Sequence, residues 1–388
     1  MSTNLLDRTH VFENSATDNI LQALKTAEKD KNYYAFYDQI KASRLPFIPC
    51  YEKDTKLVHE QCFDFLQMLG EISIPVSVAL SMHYYILAAV ASYPFSKTSK
   101  EYWKREILLK KIKKERLLIA NTGSVRTFKS VDGNQAIVAD KSGDSYVISG
   151  EAPFMSLSGI ADYAVFTAEM KTGEKAVFFI PLDQEGIVFK DTAFGETMEG
   201  SFTKSVEFRN VRVDSSGVIR LDADEDERCD LLIYQRSWFQ ALIPAPYLGA
   251  AQAVLKNLKA FASKRIKKGK LLAESESFLD AMGELRIRYQ AAAQLSNEAG
   301  SALADFRKDN KRKLKRIFES SVVAKYFSTH FAEEIVSKAR HLMGTRFLTP
   351  GSLTEKVYKE IVFGPLQPMT DVDIREYFGE QAMEDGTI

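Results

Sequence analysis

Hydrophobic residues recur at helical spacing over most of the first 116 positions. Ile20, Leu21 and Leu24 share one side of a predicted helix over 18–29, and a second is predicted over 33–40, ahead of the breakers Pro46 and Pro49. Longer helices are predicted over 57–69 and 76–91. The stretch 101–116 (EYWKREILLKKIKKER) reads as amphipathic, with Trp103, Ile107, Leu108 and Ile112 on one face and lysines opposite. Beyond it the period changes. Tyr163–Thr167, Ala176–Ile180 (ended by Pro181) and Ser205–Phe208 read as strands, with Ser149-Gly150 as a turn signal. A small antiparallel β unit is therefore expected over roughly 117–215, followed by an acidic run at 222–227 that reads as a solvated linker. Helical spacing returns over 247–263, 277–307 and 318–342, with the basic stretch 309–316 as a turn between two of these segments. The pattern predicts an α+β chain in three parts: an N-terminal helical domain (1–116), a middle antiparallel β domain (117–222) and a C-terminal helical bundle (223–388).

Composition adds mainly exclusions. Equal numbers of basic and acidic residues give a formal net charge of zero, so bulk charge argues for neither a nucleic-acid partner nor a membrane surface. Cys50, Cys62 and Cys229 are widely spaced, which suits a reducing compartment and neither a disulfide framework nor a zinc site. The first residues carry no apolar signal core, and the most apolar stretch, 72–93, is interrupted by Pro75, Ser81 and His83 and reads as a buried helix. A cytoplasmic protein is expected. The histidines (His10, His59, His83, His330, His341) lack metal-ligand spacing, and the acidic run lacks the glycine of a calcium loop, so no metal site is expected. No G-x-G-x-x-G follows a strand, and no Walker lysine loop, G-x-S-x-G or H-E-x-x-H occurs.

The order of elements and the wording of several stretches resemble the acyl-CoA dehydrogenase superfamily over essentially the whole chain. That resemblance implies a C-terminal four-helix bundle and an FAD held between the three parts. The line LIANTGSVRTFKS (118–130) falls where the family writes its signature loop. Asn121, Gly123, Ser124 and Ser130 are the implied cofactor contacts there; Val125 and Arg126 stand in place of the family's Glu and Pro. GDSYVISG (143–150) resembles the family's strand and turn, which puts the aromatic and the hydroxyl that flank the isoalloxazine at Phe154 and Ser156. An aromatic face can stack on the ring, and a hydroxyl or its backbone N–H can bond the N5 edge; a plain core role is the alternative for Phe154. FASKRIKKG (261–269) resembles Tyr…Arg-x-x-Phe-Gly, which implies that Arg265 reaches the FAD diphosphate of a neighbouring subunit in a homodimer or homotetramer. RHLMGTRF (340–347) lies where the family packs the adenosine end against glycines, of which Gly344 alone survives.

The largest departure concerns the catalytic base. Matching Thr370, a further implied cofactor contact, to the threonine of the family's last segment puts Pro368 at the usual glutamate, and the other family location for a base corresponds to Phe239. Neither side chain takes a proton. Asp371 and Gln367 are the nearest polar candidates for catalysis, and Glu360 reads as structural. The resemblance implies an FAD-dependent oxidoreductase acting on an acyl thioester, carried by an acyl carrier protein or CoA, in secondary metabolism such as polyketide extender-unit biosynthesis. Basic sets at Lys264, Arg265, Lys267, Lys268, Lys270 and Lys308, Lys311, Arg312, Lys313 serve either to steer an acidic carrier or simply as solvated helix ends. A flavin monooxygenase of the same fold and a flavin-binding protein without turnover are the two other readings.

Overall fold

The computed structural model describes residues 15–122, 137–170, 175–191, 197–220, 225–267, 269–307 and 310–385. Six helices come first: α1 (Ser15–Asp30), α2 (Tyr34–Ala42), α3 (Ile48–Tyr51), α4 (Thr55–Gly70), α5 (Ile74–Ser92) and α6 (Lys100–Glu115). Eight strands follow: β1 (Ile119–Asn121), β2 (Val138–Ser142), β3 (Ser145–Met155), β4 (Tyr163–Met170), β5 (Lys175–Pro181), β6 (Ile187–Lys190), β7 (Lys204–Asp214) and β8 (Val218–Arg220). Then come α7 (Glu225–Leu242), α8 (Pro244–Ala262), a two-stranded hairpin of β9 (Ile266–Lys267) and β10 (Lys270–Leu271), α9 (Glu276–Ala304), α10 (Lys311–Met343), α11 (Leu353–Glu360), α12 (Phe363–Leu366) and α13 (Asp371–Asp385).

Local chemistry sets many of these ends. Asp54 accepts from the backbone N–H groups of Lys56 and Leu57 to start α4, Ser99 and Ser275 start α6 and α9, and Asn310 starts α10. The basic stretch expected as a turn is instead the first turn of α10, because Asn310 caps the helix there. Of the acidic run expected as a linker, 222–224 lie outside the described residues and 225–227 belong to α7.

The strands pair in the order β6-β7-β3-β2-β4-β5-β8, with β1 added against β4. All these pairings are antiparallel except β1–β4 and β2–β4, which are parallel. Ser149-Gly150 is not a turn. Strand β3 runs through it, and a register shift against β7 between Ile148 and Gly150 absorbs the positive φ of the glycine as a bulge.

The middle of the molecule is α5. It is long and apolar enough, by length and composition, to cross a membrane, yet 94% of that apolar window is buried inside the protein, as the sequence reading expected. It packs against α4, α7, α8 and β1, while α10 packs against α7, α8 and α9. Helices α4 and α8 meet backbone to backbone: a Cβ added at Gly249 would lie 2.1 Å from the Gln67 carbonyl oxygen. One continuous hydrophobic core runs from Ile20 to Ile361 through all three regions.

Helix α6 presents a different face from the one its apolar residues suggest. Arg105, Leu109 and Ile112 are buried, whereas Trp103 and Ile107 are exposed. Arg105 tolerates burial because its guanidinium donates to the Tyr93 carbonyl (2.8 Å) and lies over the rings of Phe95 and Tyr102.

One buried side chain of α5 bonds both the helical region and the first strand. His83 of α5 is fully buried; its Nε2 lies 2.9 Å from the Pro46 carbonyl oxygen, and its Nδ1 accepts from the Ile119 N–H at 3.0 Å. These partners require a neutral ring protonated at Nε2. Burial pushes its pKa down from the ordinary 6.5 to about 4. The folded protein therefore binds this proton more weakly than the unfolded chain does. The stabilisation is complete above pH 6.5 and drains as the pH falls toward 4, by about 3 kcal/mol. Urea unfolding of the wild type and of His83→Gln between pH 7 and 4 should show the variant less stable at pH 7 but with a shallower loss across that window. Parallel curves would show that His83 is not the titrating group.

Candidate functional site

A cavity of about 630 Å³ opens between the sheet and the helices. One wall is built from strands and their ends: Asn121, Thr122, Phe154, Ser156, Thr167 and Thr203 carry its polar and aromatic groups. The opposite wall comes from α5 and α7, with Tyr85, Gln235, Arg236, Phe239 and Gln240, and from the 363–373 segment. Most of the lining between these groups is aliphatic or aromatic, the usual make-up of a small-molecule site.

The strand wall is fixed by a hydrogen-bond relay. The Tyr85 hydroxyl donates to Asn121 Oδ1, and Asn121 Nδ2 donates to the Val165 carbonyl at 2.8 Å. This holds the end of β1 against both α5 and β4. Burial raises the Tyr85 pKa well above its ordinary value, so the phenol stays protonated as the relay requires. A bridge between Asn121 and Ser156 then sets the end of β3 beside β1, and Thr203 Oγ1 donates to Ser156 Oγ at 3.1 Å. Phe154 is 44% exposed on this wall, whereas the sheet aromatics Tyr146, Phe166, Phe178 and Phe208 are buried.

The helix wall contains both positions matched to a family base. Phe239 packs edge-on against Tyr85, with ring centroids 5.3 Å apart, and Pro368 lies across from it, its carbonyl oxygen accepting from Gln240 Nε2 at 3.0 Å. Asp373 supplies the one carboxylate in the cavity wall among the described residues. Its oxygen is already an acceptor, at 2.9 Å from the Thr370 N–H and 2.7 Å from Thr370 Oγ1, in a reciprocal cap that starts α13.

The 365–371 segment is held from behind by Lys325 of α10. Its ammonium is completely buried and donates to the carbonyls of Pro365 (3.1 Å) and Met369 (2.9 Å), with Asp371 at 3.7 Å. Burial pulls its pKa down to about 8, opposed by the Asp371 charge. Asp371 also meets His330 Nε2 at 2.8 Å.

Four of the residues singled out from the sequence, Asn121, Phe154, Ser156 and Gln367, come together in this cavity. Gln367 Nε2 donates to the Tyr247 hydroxyl at 3.1 Å. Thr370 and Asp371 lie outside the cavity wall, occupied as helix cap and as partner of Lys325 and His330. Arg265 is exposed on the turn before β9, and Gly344 sits at the exposed end of α10 with φ 65°; neither lines the cavity. Gly123, Ser124 and Ser130 lie outside the described residues. Tyr85, Thr203, Gln235, Arg236, Gln240 and Asp373 were not anticipated.

Residues 238–364 match the family model for the acyl-CoA dehydrogenase C-terminal domain. The chain is 24% identical over 233 residues to the 3-(aryl)acrylate reductase of Clostridium sporogenes (strain ATCC 15579), and the match spans 59% of each protein. Solved structures of the same fold include FkbI, for biosynthesis of the methoxymalonyl extender unit of the Fk520 polyketide (TM-score 0.76, 15% identity, covering 95% of this chain and 98% of that one). They also include butyryl-CoA dehydrogenase from Megasphaera elsdenii (TM-score 0.74, 15% identity, 99% and 100%) and FMN-bound TdsC from Paenibacillus sp. A11-2 (TM-score 0.76, 17% identity, 94% and 96%). The helix–sheet–helix architecture above is therefore the fold of these solved structures, and residues 238–364 are similar to the acyl-CoA dehydrogenase C-terminal domain.

Proposed function

We propose that this protein is an FAD-dependent oxidoreductase acting on an acyl thioester whose acyl group is held on the phosphopantetheine of a carrier protein. The observation that carries the reading is the cavity itself, with an aromatic face and hydroxyls on its strand wall and both former base positions on its helix wall. The donor set of the strand wall suits a flavin. Phe154 offers a ring face, Ser156 a hydroxyl beside it, and Asn121 and Thr122 further polar groups at the end of β1. A bound flavin would supply two-electron acceptance. The chain's part is to place the thioester against it, to exclude water with an apolar lining, and to hold the 365–371 segment in register through Lys325.

Phe239 and Pro368 turn the reading away from α,β-dehydrogenation of plain saturated acyl groups, because neither accepts an α-proton. An acyl group activated by a hydroxyl or amino substituent fits better. The exposed cations Lys264, Arg265 and Lys270 around the β9–β10 hairpin favour an acidic carrier over a neutral one. The missing base also suits a second reading, oxygenation by a flavin monooxygenase, and TdsC, named as a dibenzothiophene monooxygenase, shares the fold. Anaerobic stopped-flow mixing separates the two: bleaching of the flavin by a thioester supports the first, and reduction only by a nicotinamide or flavin donor followed by oxygen uptake supports the second.

Two further outcomes are expected. The purified chain should bind about one FAD noncovalently as a homodimer or homotetramer, with Arg265 serving a neighbouring copy, since it lies away from its own chain's cavity. Arg265→Ala should then lose a charge-assisted contact and weaken FAD binding roughly 10- to 100-fold; a preparation that takes up no flavin, or a variant with unchanged affinity, would contradict this. Butyryl-CoA should reduce the bound flavin about 10²–10⁴-fold more slowly than it does in family members that carry the glutamate, and rapid anaerobic bleaching would mean that a base acts from another position.

A further inference from the structure

We infer that Gln235 and Gln240 of α7 read a hydroxyl on the substrate's acyl group next to its reacting carbons. The inference rests on the thioester reading above and assigns the residues that select among thioesters. Both side chains line the cavity and both are deeply buried, at 6% and 2% exposure. Gln240 Nε2 donates to the Pro368 carbonyl, which fixes the orientation of its amide and leaves Oε1 buried without a partner. Gln235 makes no side-chain hydrogen bond among the described residues, and its Nε2 is sealed from solvent without an acceptor.

Two unmet amide atoms in one cavity wall are costly, since a buried polar group without a partner loses its hydration and gains nothing in return. The same lining holds Val78, Met82, Leu232 and Phe239, which cannot hydrogen bond through their side chains, and Tyr85, Arg236 and Asp373, none of which bonds either glutamine. The terminal torsion of a glutamine is soft, so a small rotation presents the Gln235 amide to a ligand. What the pair lacks is an acceptor for Gln235 and a donor for Gln240. A hydroxyl is both, and it still serves if the Gln235 amide is turned over.

Location says which ligand supplies it. The groups suited to a flavin are on the strand wall, whereas Gln235 and Gln240 flank Phe239 on the same helix and Gln240 holds the Pro368 carbonyl. The unmet atoms thus surround the two positions at which a base would meet the substrate. A plain alkyl chain seated there displaces water and leaves both amides unsatisfied. A site built to bond a hydroxyl discriminates against the analogue lacking it.

The test uses the full-length FAD-reconstituted protein and calorimetric dissociation constants for butyryl-, 2-hydroxybutyryl- and 3-hydroxybutyryl-CoA. At least one hydroxy ester should bind about 10-fold or more tightly than butyryl-CoA, and in Gln235→Leu that preference should fall below about threefold, with butyryl-CoA binding unchanged or tightened. Gln235→Met, close in shape, is the second variant should the leucine protein fail to fold. Equal binding of all three esters by the wild type, or an undiminished preference in the folded variant, overturns the assignment and leaves the thioester reading standing. If none of the three acyl groups binds, as the CoA ester or on the phosphopantetheine of an acyl carrier protein, while FAD does, the thioester reading falls and the assignment falls with it.

Discussion

An apolar helix buried on every side can keep polar side chains only if other elements come to meet them. Helix α5 has three consecutive instances of this constraint, at 83–85, while Ser81 just before them is met within the helix itself. Ser81 returns its hydroxyl to the Val78 carbonyl, His83 bonds Pro46 and Ile119, Tyr84 donates to the Leu45 carbonyl at 2.6 Å, and Tyr85 donates to Asn121. Ser77, one turn earlier, donates to the Leu66 carbonyl of α4. An unmet group in such a place costs roughly 1–3 kcal/mol, so the positions of the 45–47 turn, of α4 and of β1 are tied to α5. Because β1 pairs with β4, and β4 with both β2 and β5, the whole sheet hangs from this helix.

The cavity is a consequence. Its strand wall is set by the bond from Tyr85 to Asn121, and its helix wall by the packing of α7 against α5 and α10. The third side, residues 363–373, has little core of its own and depends on the buried ammonium of Lys325. A charged lysine in the core is expensive to desolvate. Two carbonyls and a carboxylate offset that cost only when the segment sits where it does, so the same bonds that keep the lysine inside also fix Gln367 and Pro368 at the cavity.

How much of this was legible in the sequence follows from which forces decide each feature. Helical and strand periods report burial directly, and the main helices and the strands β4, β5 and β7 could be read from them. Charge runs misled, because a run of like charge says nothing about whether a capping residue precedes it: Asn310 made a helix start of the presumed basic turn, and α7 took up half of the acidic run. The buried face of α6 escaped because a cation–aromatic cluster and a backbone carbonyl let Arg105 go inside while Trp103 stayed out. In the site, Phe154 and Ser156 could be named from resemblance because they lie on a strand end whose local wording survives. Gln235, Gln240 and Asp373 could not, since they gain meaning only when α7 and the 363–373 segment face each other across a cavity, a juxtaposition separated by more than a hundred residues in the chain.

Phe239 and Pro368, the positions matched by resemblance to a base, belong to one helix wall and are better understood together than singly. Gln240 bonds the backbone carbonyl of residue 368, and a carboxylate at 239 would displace the ring that packs on Tyr85 beside the Tyr85–Asn121 relay. A carboxylate introduced at either position would enter a mostly apolar lining in which Arg236 is the cation at hand, and burial would push its pKa upward. The present wall offers neutral amides instead. Neutral amides cannot take a proton, but they can discriminate between acyl groups by hydrogen bonding at little electrostatic cost, and that is the work for which the geometry of α7 equips them.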